Sequence, residues 1–367
     1  MIAWFRYICL IVSLIITMPE LLSAQRLVSQ RQEDVEAGLL YNESVYILSN
    51  YSCLSSNSPE KLSLDELLRK QIEGFYFYLK RDTETNVLLL RKPDGTFTPF
   101  SESLEAIKTA LDADSTKVMT LFLDFYVETE LESSFKEIGL MEYVLEYDTK
   151  NGWPSLKDML SSGKRLVVFE VQKHLNSPSW LHNMRDFVEH TDADWGNQPE
   201  GVESFDERLK KNLSLFTGYK FLETSRGNSN DISALARQTP YLIESFKRAW
   251  IRDGRVPNFI LVDKYYAWLD VSLVTFRNFD IIYGAVTNNN ELLNYVNWDG
   301  MSNYTTGKYC FPLEPGAELM LSPISPGYRI EPATVYVSGT QRKAFASDFK
   351  ARPLRIDEDI EIYLPFE

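Results

Sequence analysis

Residues 153–169 read WPSLKDMLSSGKRLVVF, and this stretch decides the fold class. Its first part has the spacing of a short helix over Trp153–Ser162. Gly163 follows, the residue type expected just after a helix C-terminus. Residues Arg165–Val171 then form an apolar run suited to a strand that is buried on both faces of a parallel sheet. A helix followed by a buried strand is the repeating unit of an α/β fold.

The same alternation extends in both directions from this stretch. Eight segments have the pattern of strands: Val45–Ser49, Gly74–Lys80, Asn86–Arg91, Val118–Tyr126, Arg165–Val171, Tyr219–Glu223, Pro257–Asp263 and Asp280–Val286. Helical periodicity lies between several of them, as in Leu64–Glu73, Leu104–Leu111 and Ile232–Arg252. Eight such units over roughly 250 residues predict an α/β fold of the (β/α)8 TIM barrel type. Alternation alone also fits an open, doubly wound sheet.

The chain ends indicate how it is organised. A positive N-terminus, an apolar run over Ile8–Met18 and small residues near Ala24 are typical of a cleaved secretory signal. We therefore expect a signal peptide over 1–24, a lead-in over 25–44, a barrel over 45–300 and a small all-β appendage over 305–367. The appendage is indicated by frequent prolines between short alternating runs such as Thr334–Ser338 and Ile360–Leu364. The predicted location is secreted, periplasmic or extracellular, with no transmembrane segment in the mature chain.

Charge and cysteine content narrow the classes of partner. The net charge of −14 and the lack of a basic run argue against nucleic acid and against electrostatic docking on anionic membranes. Cys53 and Cys310 are the only cysteines beyond the signal segment, so an exported chain has either a disulfide between them or two buried thiols. No Cys/His spacing indicates zinc. Four Asn-X-Ser/Thr sequons begin at Asn42, Asn50, Asn212 and Asn303.

Three stretches together resemble the phosphatidylinositol-specific phospholipase C-like phosphodiesterase superfamily. They are TLFLDFYV at 120–127, WPSLKDMLSSGKRLVVF at 153–169 and GRVPNFILVD at 254–263. The resemblance covers roughly residues 42–290 and implies a distorted (β/α)8 barrel with a phosphoric diester hydrolase activity. In that family one histidine deprotonates the inositol 2-hydroxyl and a second protonates the leaving group, while arginine and sometimes Ca²⁺ stabilise the charged intermediate.

The histidine pair has no counterpart in this sequence. All three histidines, His174, His182 and His190, lie within one short stretch, and none precedes it. Asn50 falls where the first family histidine is expected, and Arg91 lies near the position of the second. Asparagine cannot transfer a proton and arginine stays protonated. Losing one general acid or base costs on the order of 10²–10⁴ in rate, so losing both predicts a catalytically degenerate member, a pseudoenzyme.

Acidic residues at strand ends are the candidates for a relocated catalytic site. Asp124 keeps the acid that Ca²⁺-using members place on the fourth strand, although its companion acids are missing. The candidates, each near the end of a predicted strand, are Asp124, Glu170, Glu223 and Asp263. A structural role at the barrel mouth is the alternative for each. We expect no cofactor, and Ca²⁺ at Asp124 is the only metal hypothesis that the resemblance supplies.

The same strand ends carry candidate ligand-binding residues, namely Asn50, Tyr76, Arg81 and Arg91. Arginines bind phosphate through two parallel hydrogen bonds, and tyrosine rings stack on sugar or inositol rings. Neutralising neighbouring acids and packing are the alternatives for these side chains. The histidine cluster is either a solvated segment or the source of a relocated base.

The sequence therefore predicts a secreted superfamily member, degenerate in catalysis, with a role in lipid metabolism or ligand binding. It would bind a phosphorylated or polyol small molecule or a lipid head group at the barrel mouth. One alternative is an active divergent phosphodiesterase with a relocated acid or base. The other is a surface interaction protein that acts through its C-terminal β appendage.

Overall fold

A computed structural model of the chain describes residues 31–52, 62–70, 72–125, 131–148, 150–172, 177–191, 215–221, 247, 250–251, 258–262, 277–300, 304–305, 307–339 and 342–355. The chain divides into two compact units. The first comprises residues 1–242 and 257–277, and the second comprises residues 243–256 and 278–367. No helix in the described ranges is long and apolar enough to cross a membrane.

The first unit is built around parallel strands. Its strands are Tyr46–Ser49 (β1), Gly74–Arg81 (β2), Leu88–Arg91 (β3), Phe97–Pro99 (β4), Met119–Asp124 (β5), Leu166–Glu170 (β6), Leu181–Asn183 (β7), Val188–Thr191 (β8), Leu215–Phe221 (β9) and Phe259–Val262 (β10). Its helices are Leu64–Arg69 (α1), Phe100–Ala113 (α2), Leu131–Ile138 (α3), Leu156–Ser162 (α4) and Met184–Phe187 (α5), with 3-10 turns at Tyr41–Glu43 and Leu140–Glu142.

Strand order identifies the fold as a barrel. Eight parallel strands pair in the order β7-β6-β5-β2-β1-β10-β9-β8. This is the circular order of a (β/α)8 barrel, interrupted between β7 and β8, which are not paired with each other among the described residues. Phe122 on β5 contacts Phe259 on β10 with ring centroids 5.2 Å apart, although two strands separate β5 from β10 in the sheet. The sheet therefore curves until its inner face packs on itself, which confirms the predicted distorted barrel.

The stretch at 153–169 folds as its sequence predicts. The side chain of Ser155 accepts a hydrogen bond from the Asp158 amide at the start of α4, and Gly163 takes the left-handed conformation after its end. Every residue of β6 is buried. These local signals hold in the folded chain because each one satisfies backbone groups or buries apolar surface.

Two strand assignments made from the sequence were wrong. The third predicted strand, now β3, pairs antiparallel with β2 and β4 and lies outside the parallel series. The eighth, Asp280–Val286, lies in the second unit, where it pairs with the strands Lys308–Leu313 and Lys343–Pro353. The places of both in the barrel are taken by the short strands β7 and β8. The predicted helix Ile232–Arg252 and the strand Ile360–Leu364 fall largely or wholly outside the described residues.

The second unit is rich in β structure, in agreement with the predicted C-terminal β region. Its strands are Asp280–Asn288 (β11), Glu291–Leu292 (β12), Val296–Trp298 (β13), Tyr304–Thr305 (β14), Lys308–Leu313 (β15), Glu318–Leu321 (β16), Pro323–Ile324 (β17), Tyr328–Glu331 (β18), Val335–Ser338 (β19) and Lys343–Pro353 (β20). Its core packs Ile282, Phe311, Phe349 and Trp298. Cys310 is buried and its sulfur accepts a hydrogen bond from Trp250 Nε1 at 3.0 Å. Cys53 lies outside the described residues, so a disulfide and two buried thiols stay the two alternatives for this pair.

Candidate functional site

The carboxyl ends of the parallel strands form the barrel mouth, where barrel folds place their functional groups. Side chains alternate between the two faces of a strand, and residues paired across parallel strands share a face. Because Phe122 faces Phe259 across the interior, Asp124, two residues further along β5, has the inward orientation as well. The register pairs Tyr76 with Phe122 and Tyr78 with Asp124, so both tyrosines belong to the same inner face.

Asp124 is held by hydrogen bonds at this mouth. Tyr76 Oη donates to Asp124 Oδ2 at 2.9 Å, and Gln172 Nε2 donates to Asp124 Oδ1 at 3.4 Å. Tyr76 and Asp124 are half-buried, so the carboxylate has both protein donors and access to solvent. The structure thus brings together two residues that the sequence singled out. It adds Gln172, whose only signal in the sequence is a polar residue that closely follows a predicted barrel strand.

Arg91 joins this cluster through Tyr78. The guanidinium carbon of Arg91 lies 5.7 Å from the centroid of the Tyr78 ring, a cation–π contact. Ser52 fixes the backbone around the pair, because its hydroxyl accepts from the Tyr78 amide at 2.8 Å and donates to the Arg91 carbonyl at 3.0 Å. Asn50 follows β1 directly and is half-buried. We call the set Asn50, Tyr76, Tyr78, Arg91, Asp124 and Gln172 the mouth cluster.

Arg81 does not point the same way as Arg91. In the β2–β3 ladder Arg81 pairs with Leu88 and Leu79 pairs with Leu90, so Arg81 shares a face with these leucines. Arg91, one residue beyond Leu90, belongs to the opposite face, on the side of Tyr78. The register therefore places the side chains of Arg81 and Arg91 on opposite faces of this ladder, and binding of a ligand by either arginine stays a prediction.

The four acidic candidates do not form one site in the described structure. Glu170 pairs with Leu123 across β5 and β6, so it lies on the face opposite to Asp124. Its carboxylate is buried and accepts hydrogen bonds from Ser177 Oγ at 2.6 Å and Asn183 Nδ2 at 3.2 Å. Glu223 and Asp263 lie outside the described residues. Glu170 connects the segment after β6 to β7, which is a structural role.

A calcium site at Asp124 has little support from the side chains around it. Ca²⁺ takes about six to eight oxygen ligands. Among the described residues there is no group of three or more His, Cys, Asp or Glu side chains that could hold a metal ion. The donors that Asp124 contacts are a phenol and an amide. The described contacts of Asp124 do not supply the ligand set of a Ca²⁺ site, and no chemical step here is assigned to a metal.

His182 lies in an aromatic cluster and not at the mouth. Its ring lies 5.7 Å from those of Trp153 and Phe169, measured between centroids, and 5.6 Å from that of Phe187. Nε2 lies 3.1 Å from the Leu145 carbonyl, so this nitrogen carries the proton. Burial lowers the pKa of His182, and the hydrogen bond to the Leu145 carbonyl opposes this only partly. His174 and the side chain of His190 lie outside the described residues.

The buried imidazole makes stability depend on pH. Below the ordinary histidine pKa of about 6.5, His182 binds a proton in the unfolded chain but stays neutral in the folded chain, because its pKa there is lowered. The folded state therefore loses stability relative to the unfolded state as the pH falls. Between about pH 7.5 and 5.5, we expect the unfolding free energy of the parent to fall by about 1 kcal/mol more than that of His182→Gln. Urea unfolding at both pH values measures the difference. Equal losses in the two proteins would show that His182 ionises freely when folded.

Comparisons with known proteins address this barrel directly. The family model described as PI-PLC X matches residues 90–199. This match supports placing residues 90–199 in the phosphatidylinositol-specific phospholipase C-like superfamily. The region of this superfamily match includes Arg91, Asp124 and Gln172 of the mouth cluster and begins after Asn50, Tyr76 and Tyr78. No curated protein matches the sequence.

Among solved structures, the phosphatidylinositol-specific phospholipase C of Listeria monocytogenes is 14% identical with a TM-score of 0.42, covering 66% of this chain and 98% of that one. A variant of the corresponding enzyme of Staphylococcus aureus is 13% identical with a TM-score of 0.37, covering 65% of this chain and 97% of that one.

Proposed function

We propose that this chain is a secreted, catalytically degenerate superfamily member that binds a phosphorylated polyol, such as an inositol phosphate or its lipid, at the barrel mouth. The observation that supports this most is the composition of the mouth cluster. It combines one cation on an aromatic ring, one fixed carboxylate and several neutral hydrogen-bonding groups. A guanidinium suits a phosphate group. A carboxylate and an amide suit the hydroxyls of a polyol.

The same cluster supports binding without turnover. Displacement at phosphorus needs a base and an acid that act on the same reacting site. Of the groups in the mouth cluster, Asp124 is a candidate base, and it already accepts hydrogen bonds from Tyr76 and Gln172. Arg91 stays protonated, so it cannot replace an imidazole acid and base. His182, whose Nε2 faces the Leu145 carbonyl inside the aromatic cluster, is not available for this role.

The test compares binding and turnover in one protein. Titration calorimetry with inositol 1-phosphate, myo-inositol and inorganic phosphate distinguishes recognition of the phosphate from recognition of the ring. We expect Arg91→Gln to weaken inositol 1-phosphate binding by about 10–100-fold, because it removes a charge-assisted hydrogen bond. Arg81→Gln is the matched control, since the same chemical change falls on the opposite face. Equal weakening by both variants, or binding by neither the parent nor the variants, would contradict the proposal for the mouth.

Hydrolysis of phosphatidylinositol, with Ca²⁺ and with a chelator, tests degeneracy separately. We expect no turnover by the parent chain under either condition. Turnover that is lost in Asp124→Asn would establish the alternative, an active divergent phosphodiesterase whose relocated mechanism uses that acid.

The third alternative, interaction through the C-terminal β unit, is favoured by a separate observation. Two large apolar side chains of this unit, Met320 and Tyr336, pair across β16 and β19 and are both exposed. Contiguous exposed apolar surface is typical of an interaction site. Such a role is compatible with ligand binding at the mouth because it uses other residues.

A further inference from the structure

The central sheet of the second unit has one face in the core. The opposite face is exposed around Tyr283 and Phe345, whereas Ile281 and Cys310 on that face are buried. Ile282 on β11, Phe311 on β15 and Phe349 on β20 pack in the core. The residues that alternate with them along these strands therefore face the other way. On that outer face Tyr283 pairs with Phe345, and their rings contact edge to face with centroids 5.5 Å apart. Tyr283 is 37% exposed and Phe345 is 54% exposed, large fractions for aromatic residues.

Cations surround this aromatic pair. Lys343 Nζ lies 5.3 Å from the centroid of the Tyr283 ring. Lys308 pairs with Ala285, and Lys350 Nζ donates to Thr287 Oγ1 at 3.2 Å, so both lie on the same face. The same face continues onto β18. There Glu331 pairs with Lys350 and Arg329 pairs with Arg352 of β20, so these side chains lie on it as well. We call this outer face, with its aromatic pair and its charged residues, the aromatic–cationic face.

The charge of this face differs in sign from that of the chain. Among the described residues it carries five cations, Lys308, Arg329, Lys343, Lys350 and Arg352, and two acids, Glu331 and Asp348. Arg329 Nε lies 3.3 Å from Glu331 Oε1. The chain as a whole has a net charge of −14. Charges separated by more than about 8 Å are largely screened at physiological ionic strength. The described part of this face therefore has more cations than acids even though the whole protein is acidic, in contrast to the expectation that the chain avoids anionic surfaces.

We infer that the aromatic–cationic face docks on an anionic phospholipid surface. Aromatic side chains are enriched at the interface of a bilayer, and long cationic side chains reach from apolar surroundings to the head groups. Phe345 has no polar group with which to recognise a hydrophilic partner, and the two rings, inclined at 64°, do not form one flat platform for stacking a sugar. A second copy of this face would bring cations against cations. An anionic lipid surface satisfies both the charge and the exposed apolar area.

Vesicle sedimentation tests this inference in the full chain. The probes are vesicles of phosphatidylcholine alone and of phosphatidylcholine with about 30% phosphatidylglycerol, which carries surface charge but no inositol. A single cation near such a surface contributes about fivefold in affinity.

We expect the double variant Lys308→Glu, Lys350→Glu to weaken binding to anionic vesicles at least about tenfold. The double variant Tyr283→Ser, Phe345→Ser should weaken it about tenfold. Every variant is compared in the same background, so any contribution of the apolar run at Ile8–Met18 cancels.

Matched controls separate the face from general charge and exposure. Lys150→Glu with Lys157→Glu makes the same change in net charge at exposed positions of the first unit. Tyr336→Ser removes an aromatic ring that is 76% exposed but lies on the two-stranded β16–β19 sheet. We expect both to bind like the parent. Equal weakening by a control pair, or unchanged binding by both face variants, would overturn the inference.

Salt provides a test that does not depend on any substitution. Parent binding to anionic vesicles should fall between about 50 and 500 mM NaCl, because exposed charges are screened at high ionic strength. Equal binding to neutral and anionic vesicles at low salt would also overturn the inference. Because phosphatidylglycerol lacks an inositol ring, failure here leaves the proposal for the barrel mouth standing, and failure of inositol phosphate binding leaves this one standing.

Discussion

Replacing Glu73 by glutamine is expected to lower the free energy of unfolding by about 3–5 kcal/mol. Glu73 precedes β2 and is buried, and its carboxylate interacts with Arg31, with Arg277 Nη2 at 2.9 Å and with the Ile47 amide at 3.3 Å. Arg31 also lies 3.5 Å from Asp34 and over the ring of Tyr46. The substitution keeps the size of the side chain but leaves two buried guanidinium groups with a single carboxylate.

Urea unfolding followed by circular dichroism measures this loss. Glu105→Gln is the matched control, because it makes the same chemical change at an exposed position of α2. Surface substitutions of this kind usually change stability by less than about 0.5 kcal/mol. A loss at Glu73 no larger than that of the control would show that the buried ion cluster at the amino end of β1 and β2 contributes little to stability.

Replacing Gly74 by alanine is the second change with a large expected effect, a loss of about 3 kcal/mol. A β-carbon at this position would lie 2.1 Å from the carbonyl oxygen of Thr120 and 2.3 Å from Leu48 Cδ2. The first neighbour is backbone of β5, which cannot move without disturbing the β2–β5 ladder. Gly74 is therefore required by the close approach of three strands and not by an unusual backbone conformation.

Gly38 offers the comparison that separates these two requirements. It has a φ of +67°, and a β-carbon there would meet nothing within 4 Å. Gly38→Ala should cost only the left-handed backbone penalty, about 1–2 kcal/mol. Thermal or urea unfolding of both variants measures the order of the two effects. A Gly74→Ala protein as stable as the parent would mean that β1, β2 and β5 can separate without loss.

Long apolar runs made part of the barrel predictable from the sequence. β5 and β6 are buried along nearly their whole length, and the helix before β6 has clear start and stop residues, so local patterns suffice for them. β7 has only three residues, including His182 and Asn183, and no periodicity can be read from so short a segment. β3 and β11 have apolar patterns that also fit a barrel strand. Such a pattern carries no information on which strand will be the partner, so both were assigned to the barrel from the sequence.

From the sequence, the residues of the candidate site could be identified individually on the predicted strands, but not which of them face one another. Asp124 ends β5, and Tyr76 lies within the neighbouring strand β2; the structure joins the two by a hydrogen bond. Whether Glu170 accompanies them depends on register, since a shift of one residue exchanges the two faces of a strand. The same reason separates Arg81 from Arg91. Register follows from packing of the whole barrel, so the sequence alone does not reveal it.

The hydroxyl of Ser52 has a consequence for how the protein is produced. Ser52 completes the sequon that begins at Asn50, and in the folded chain its hydroxyl bonds the backbone of Tyr78 and Arg91. An enzyme that attaches glycans must therefore act on this sequon before folding is complete. A glycan at Asn50 would add a bulky polar group beside the mouth cluster. Material from a glycosylating host and from a non-glycosylating host would then be two different proteins at the barrel mouth, and ligand studies need to state which was used.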